Sequence, residues 1–440
     1  MVSMTDPLRI GIAGLGTVGA AVASRLISFT DDMALRSGRQ VVLTGVAARD
    51  RSRDRGIDLS AVTWFDSADG LASSSGIDVL VELIGGDEGS ARSAVELALK
   101  TGKSVVTANK ALLAKHGAAL GALAEENNVA LAFEASAAGG IPIVKVLREA
   151  MSGNRLSRIY GIMNGTCNYI LSRMEAEKLS FEECLADAQR LGYAEADPTF
   201  DIGGFDTAHK LAILTSLAFG TQIDADSIYV EGIGSLTLLD LAMADELGYR
   251  IKLLGVATRT QDGIEQRVHP TMVPKSSAIA QVSGVTNAVA LDGDMVGEIT
   301  LVGPGAGGKA TASAVLADIV DVARGESRPP FGVSLDKLVP ASRAPMTLHA
   351  GGYYIRLMVQ DRPGAAAAIA TRMAEKSISL ESILQRGGAK HGFQSPEGTV
   401  PVVMITHATT ETAVRQVLDA VVADGHVIGE PQMIRIEKEQ

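Results

Sequence analysis

Cysteine is almost absent: Cys167 and Cys184 are the only two in 440 residues. Two thiols build neither a disulfide framework nor a cysteine-rich zinc site, and they suit a reducing cytoplasm. Aromatic residues make up only 4% of the chain, too few for an aromatic-rich binding surface. Basic residues are outnumbered, 40 Lys and Arg against 51 Asp and Glu. A formal charge of −11 argues against nucleic acid or an anionic membrane as partner, since either favours a basic face. No run of eighteen apolar residues occurs, which argues against a membrane span. The first residues, MVSMTDPLRIGIAGLG, lack a basic start followed by an apolar core, so no secretory leader is expected.

Hydrophobic residues are plentiful at 46%, and 47 glycines accompany them, a mix suited to tightly packed α/β layers. The length predicts two or three domains. Apolar strands are expected at 8–13, 41–47, 77–83, 104–107 and 130–133, with helices between. That alternation predicts a parallel sheet covered on both faces over residues 1–134. Beyond Glu134 the pattern becomes an α+β domain, 135–325, with about 300–325 returning to the first domain. Arg328-Pro329-Pro330 opens a linker, 326–350. Residues 351–440 read β-α-β-β-α-β, the ferredoxin-like order.

Gly14-Leu15-Gly16-Thr17-Val18-Gly19 follows the first strand and opens a helix. Gly14 allows a tight turn, Gly16 lets a pyrophosphate approach the backbone, and Gly19 lets helix and strand pack closely. Such a run also serves ordinary turns, but its strand–loop–helix context points to a dinucleotide. The second strand ends Ala47-Ala48-Arg49-Asp50. Arg49 suits the 2′-phosphate of NADP and Asp50 suits the ribose hydroxyl of NAD, so both remain open, as does a solvated loop.

The densest polar cluster runs from Tyr193 to Lys210 and includes Glu195, Asp201, Asp206 and His209. Asp206 and Lys210 are four apart, on one helix face. The apolar run Leu211–Leu214 places that helix against the core, shielding Lys210 and pushing its pKa down towards acid/base work. An exposed ion pair is the plainer alternative. Lys110 closes Thr107-Ala108-Asn109-Lys110 at a strand's carboxyl end, where ligands of open sheets gather; a solvated lysine is the alternative. Asn164-Gly165-Thr166 offers amide and backbone groups to a substrate. Cys167 beside it reads as a buried inert thiol, or as a nucleophile for aldehyde oxidation through a thioester.

Together the glycine loop, Thr107–Lys110, Gly161–Thr166, the Glu195–Lys210 spacing and Gly303-Pro304-Gly305-Ala306-Gly307 resemble homoserine dehydrogenase over nearly the whole chain. That resemblance implies NAD(P)H-dependent reduction of L-aspartate 4-semialdehyde to L-homoserine, a step of threonine, methionine and isoleucine biosynthesis. It implies Lys210 as proton donor, Asp206 orienting it and helping to hold substrate, and Glu195 binding the substrate ammonium. Asn164 and Asp201 join the substrate site. Lys110 lies beside substrate and nicotinamide, and Gly192 and Gly307 line the cofactor. The resemblance also implies a structural sodium ion held mainly by backbone oxygens of Glu134, Ala137, Gly139 and Ile141.

The C-terminal unit resembles an ACT regulatory domain, with Asp361-Arg362-Pro363-Gly364 at the ligand-binding turn. For Asp361 and Gly364 this implies an amino-acid effector, threonine by the family's pattern, and for the chain a homodimer or homotetramer. Lys309-Ala310-Thr311 departs from the family, which commonly has proline before the threonine, and loosens that loop's φ. The competing functions are a semialdehyde-oxidising dehydrogenase using Cys167 and a non-catalytic amino-acid sensor.

Overall fold

The computed structural model describes residues 6–385 and 398–437. In chain order the first elements are β1 (Leu8–Ala13), α1 (Thr17–Ser28), α2 (Thr30–Ser37), β2 (Val41–Ala47), β3 (Thr63–Phe65) and α3 (Ala68–Ser73). Next come β4 (Val79–Glu82), α4 (Ser90–Lys100), β5 (Ser104–Thr107), α5 (Lys110–Glu126), β6 (Leu131–Ala132) and the short α6 (Ile143–Lys145). Then follow β7 (Leu156–Ile162), α7 (Gly165–Glu177), α8 (Phe181–Arg190), α9 (Thr199–Ile202), α10 (Phe205–Phe219), β8 (Tyr229–Val230) and α11 (Leu238–Glu246). A hairpin of β9 (Tyr249–Thr260) and β10 (Gly263–Pro274) leads to β11 (Thr286–Gly293), β12 (Gly297–Pro304) and α12 (Gly308–Ala323). The last elements are β13 (Ala350–Gln360), α13 (Ala365–Glu375), β14 (Leu380–Gln385), β15 (Thr399–Thr406), β16 (Thr409–Thr410), α14 (Glu411–Ala423) and β17 (Gln432–Ile436).

Two compact units result. One takes the chain up to Ile159, Ala208–Ser227 and Val289–Ala341; the other takes Tyr160–Thr207, Ile228–Ala288 and the chain from Ser342. The first holds a parallel six-stranded sheet in the order β3-β2-β1-β4-β5-β6. This is the doubly wound dinucleotide-binding order, whose direction reverses beside β1. Its strands are apolar on both faces because helices cover both: Ile10, Ile12, Val79 and Val81 are all fully buried. Each such side chain contributes about 1.5–3 kcal/mol of burial. α1 and α12 pack on one another within the same core, which joins Val22 and Leu26 to Val315 and Ile319.

In the second unit β9 and β10 pair antiparallel along their whole length. β17 pairs parallel with β10 and antiparallel with β13, so the sheet continues as β9-β10-β17-β13-β15-β14. Among the described residues the final segment reads β13-α13-β14-β15-β16-α14-β17, the expected β-α-β-β-α-β order with the two-residue β16 added. Tyr353, Ile355, Leu357 and Val359 alternate inward from β13, against Ile369 and Met373 of α13 and Val414, Val417 and Val421 of α14.

The structure differs from the sequence expectation in several elements. α2 and β3 were unexpected; β3 is only three residues long and α2 carries two aspartates in its first turn. The strand β12 runs on into Gly303-Pro304, and α12 begins at Gly308, directly after Gly307. Asn164-Gly165-Thr166 opens α7, with the Asn164 side chain accepting the Cys167 N–H as its cap.

Candidate active site

The glycine loop leaves β1 with Gly14 at φ +103°, a left-handed backbone in which a Cβ would lie 2.4 Å from the Leu83 carbonyl oxygen. A Cβ on Gly19 would lie 1.9 Å from the Gly14 oxygen, so helix and loop touch directly. Gly16 is the opposite case: nothing lies within 4 Å of its would-be Cβ. No side chain caps α1 at Gly16, so its first amides face that open space. Gly14, Leu15 and Gly16 line a cleft of about 540 Å³ with Arg49, Arg53 and Arg55. Thr17, Val18 and Gly19 continue the loop into the first turns of α1. A dinucleotide fits these features: space over Gly16, unfilled helix amides and cationic side chains.

At the far wall, the Asp50 carboxylate accepts from the Ser52 backbone N–H and hydroxyl, 2.9 and 2.6 Å away. Those bonds hold its pKa below the usual carboxylate range. Arg55 donates to the carbonyls of Leu15, Arg53 and Asp50 at 3.1, 2.6 and 2.6 Å, tying this loop to the glycine loop. Arg49 is exposed at the cleft.

Lys110 is the first residue of α5, half-buried. The Asn109 side chain caps that helix by accepting the Leu112 N–H, and its amide donates to the Gly86 carbonyl at 2.6 Å. Behind it the fully buried Glu82 accepts the N–H groups of Ile84 and Gly85 and the Thr107 hydroxyl, the last at 2.6 Å. Thr107 Oγ1 in turn accepts the Asn109 N–H. Glu82 thus organises the ends of β4 and β5 that carry Lys110. Neither Glu82 nor Arg55 was among the sequence candidates. A carboxylate ending the apolar run Val79–Val81 was the only local sign of Glu82.

In the second unit Asn164 stands between two carboxylates. Its Nδ2 donates to Asp201 Oδ1 at 2.8 Å and to Asp206 Oδ2 at 2.9 Å. Asn164 and Asp206 are 5% and 2% exposed, while Asp201 is half-buried. The Cys167 side chain is fully buried, and its thiol donates to the Asp201 carbonyl. α10 carries both Asp206, in its first turn, and Lys210, one turn on; Lys210 is 8% exposed, shielded as the apolar run after it required. Glu195 is exposed, and its backbone carbonyl accepts from Gln189. Gly192, at φ +76°, ends the turn after α8. Asn164, Asp201 and Asp206 are therefore drawn into one hydrogen-bonded cluster, and among the described residues the bond that Glu195 makes is through its backbone carbonyl.

The segment after β6 is a buried loop of carbonyls. Glu134, Ala137, Gly139 and Ile141 are all buried. Among the described residues no hydrogen bond reaches the Ala137 or Gly139 carbonyl oxygen, an arrangement that suits a hard cation. Gly139, at φ +59°, passes so near Gly305 that a Cβ would lie 2.2 Å from its oxygen. The Glu134 carboxylate accepts the N–H groups of Val144 and Lys145 at 2.8 Å, capping α6, while its own N–H donates to Asp318. Burial, then the Asp318 charge, pushes Glu134 up to about 7; burial also pushes Asp318 up to about 6. No group of three or more His, Cys, Asp or Glu that could hold a metal occurs among the described residues. Any cation here would therefore rely on backbone oxygens. Gly307, at φ +106°, precedes α12, which also lacks a side-chain cap. Asp361 donates its N–H to Gly398, and Gly364, at φ +93°, leads into α13. No described helix is long and apolar enough to cross a membrane.

Comparison with known proteins adds an independent line. A family model described as homoserine dehydrogenase matches residues 142–320. A second, described as homoserine dehydrogenase, NAD binding domain, matches 14–134. The chain is 44% identical to a homoserine dehydrogenase of Pseudomonas aeruginosa, over 98% of this chain and 99% of that one. It is 42% identical to one of Neisseria gonorrhoeae, with 98% and 99% covered. Among solved structures, a homoserine dehydrogenase from Thiobacillus denitrificans superposes with a TM-score of 0.91 at 41% identity, covering 99% of each chain. A hyperthermophilic archaeal homoserine dehydrogenase in complex with NADPH gives 0.60 at 28% identity, over 73% of this chain and 99% of that one.

Proposed function

Because the chain belongs to the homoserine dehydrogenase family of oxidoreductases, we propose that it reduces L-aspartate 4-semialdehyde to L-homoserine, reversibly, with NADPH, and that Lys210 supplies the proton. The nicotinamide, when bound, supplies the hydride. The chain's own task is to align the aldehyde and neutralise its oxygen as the C=O π bond breaks. Lys210 gives its ammonium proton to that oxygen. Asp206, one turn earlier on α10, orients Lys210 and helps hold the substrate. Asn164 and Asp201 fix the position of Asp206, and Glu195 takes the substrate ammonium. Lys110 lies beside substrate and nicotinamide. The observation that carries this reading is the Asn164 amide shared between Asp201 and Asp206, which fixes the very carboxylates expected of the substrate site.

NADP is the favoured cofactor. Asp50 is already engaged by Ser52, and Arg49 and Arg53 face the cleft, a better match for a 2′-phosphate than for a ribose hydroxyl. The glycine loop, Gly192 and Gly307 would lie along the dinucleotide. The carbonyls of Glu134, Ala137, Gly139 and Ile141 would hold a sodium ion. The cell compartment in keeping with the two buried thiols is the cytoplasm.

The C-terminal βαββαβ segment would act as an ACT-type regulatory unit, with Asp361 and Gly364 at an amino-acid site for threonine, in a homodimer or homotetramer. Two contacts within the second unit support that reading. Arg435 of β17 is 1% exposed and pairs with Glu411 at 2.8 Å and Glu231 at 3.1 Å. Gly232, next to Glu231, lies so close to α9 that a Cβ would be 2.3 Å from the Ile202 oxygen, beside Asp201.

A steady-state assay of NADPH and NADH oxidation with L-aspartate 4-semialdehyde, with and without threonine, tests the reading. Turnover to homoserine with NADPH preferred is the expected result. Absence of turnover with either cofactor would overturn it.

A further inference from the structure

Away from the cofactor cleft, the first unit carries a groove of about 770 Å³, walled by α1, α2 and α12, with Lys145 of α6 at its edge. No residue lines both the groove and the cleft. Its floor is apolar, formed by Phe29, Met33, Leu316 and Val320. Its rim holds Arg25, Arg36, Lys145, Lys309 and Arg324 against one carboxylate, Asp321. A local surplus of four positive charges is unexpected on a chain whose formal charge is −11.

Part of that charge is spent internally. Lys145 pairs with Asp321, and Arg324 donates to the Arg36 carbonyl at 3.1 and 2.9 Å. Arg25 lies over the Phe29 ring, 3.4 Å from its centroid. Among the described residues no carboxylate pairs with Arg25, Arg36 or Lys309. Purely structural cations tend to be neutralised by neighbours or to project singly into solvent. Here three unneutralised ones ring an apolar floor, in a groove of ligand size.

The geometry points to a second small-molecule site, for an amphipathic anion: a carboxylate, sulfonate or phosphate ester on an apolar body. The apolar body would lie on Phe29, Met33, Leu316 and Val320, and the anionic head among Arg25, Arg36 and Lys309. Its position gives it a consequence. α1 and α12 start at Thr17 and Gly308, and their first turns touch, since a Cβ on Gly308 would lie 2.7 Å from Thr17 Cγ2. A body seated between the same two helices further along levers those first turns apart. Occupancy therefore weakens NADPH binding, a coupling that rests on the cofactor reading above and is reciprocal.

The test uses 8-anilinonaphthalene-1-sulfonate fluorescence with the full chain, with NADPH present to fill the cleft, and decanoate as competitor. Saturable binding at one site per chain, weakened by salt and displaced by decanoate, is the expected result. Arg25→Glu with Arg36→Glu weakens it about tenfold or more. Ser313→Trp, which fills the groove from an exposed position of α12, abolishes it while the far-UV circular dichroism stays that of the wild type. Unchanged probe binding in both variants overturns the site. A change of oligomeric mass in the charge-reversal variant, read by light scattering, overturns it in favour of a second copy of the chain. The NADPH dissociation constant, measured with and without decanoate in probe-free protein, rises several-fold if the sites are coupled. If decanoate binds and that constant does not move, the coupling is refuted and the site is not.

Discussion

Replacing Asn164 by alanine removes three bonds at once. The side chain caps α7 at the Cys167 N–H and bridges Asp201 and Asp206 through one amide nitrogen. Loss of the cap costs about 1 kcal/mol. A hydrogen bond to a charged group contributes about 1.5–3 kcal/mol, and the one to the 2%-exposed Asp206 should count nearly in full. The bond to half-buried Asp201 adds about 0.5–1 kcal/mol. Together these give a loss of about 3–5 kcal/mol, read from the urea midpoint and slope. The catalytic effect follows from Asp206 relaxing out of position, where a displacement of about 1 Å lowers turnover about 10²-fold. Asn164→Asp separates the parts: aspartate keeps the cap acceptor but sets a third carboxylate against two others. It should recover the capping share of the stability and none of the turnover. Wild-type turnover in Asn164→Asp, or a loss under about 1 kcal/mol in Asn164→Ala, would show that the bridge positions nothing.

Other expectations follow from the same contacts. Arg49→Ala should raise the KM for NADPH about 10–100-fold, the value of a charge-assisted phosphate contact, and leave that for NADH nearly unchanged. Equal shifts for both cofactors would refute a 2′-phosphate role. Cys167→Ser should remain active, since the buried thiol donates to the Asp201 carbonyl and a serine hydroxyl can donate to the same oxygen; an inactive variant that still folds would revive thioester chemistry. Lys252 of β9 is buried, donates to Asn168 and to the Val282 carbonyl, and is pushed down to about 8 by burial. A lysine whose pKa is lower folded than unfolded holds fewer protons in the native state between the two values. Stability should therefore carry a penalty of about 3 kcal/mol below pH 8, relieved as pH rises towards 10.5. Lys252→Met should lack that rise in urea-unfolding series across the interval, and an identical slope in both proteins would rule out the buried charge as its source.

Local chemistry was legible in the chain. Gly14 and Gly19 each declare a backbone need that no other residue meets, and the alternation of apolar strands with helices announces the parallel sheet. The i,i+4 spacing of Asp206 and Lys210 survives folding because a helix preserves it. Partnerships across the chain were not legible. Arg55 reaches back to Leu15, and Glu82 meets Thr107 from another strand. Arg435, Glu411 and Glu231 come together from β17, α14 and the loop after β8. Such charges look like surface residues in sequence, because only the fold supplies the partners that make their burial tolerable. Asp50 was the intermediate case: Ser52, two residues on, already offered the turn that captures its carboxylate. That capture is what favours Arg49 over Asp50 in the proposed NADP site.

The central claim concerns Lys210, and Lys210→Ala tests it most directly. Steady-state turnover should be measured beside an independent NADPH dissociation constant. The expected result is kcat lowered about 10²–10⁴-fold, the share of general acid catalysis, with NADPH binding near wild type. Turnover within a few-fold of wild type would contradict the assignment of the proton to Lys210.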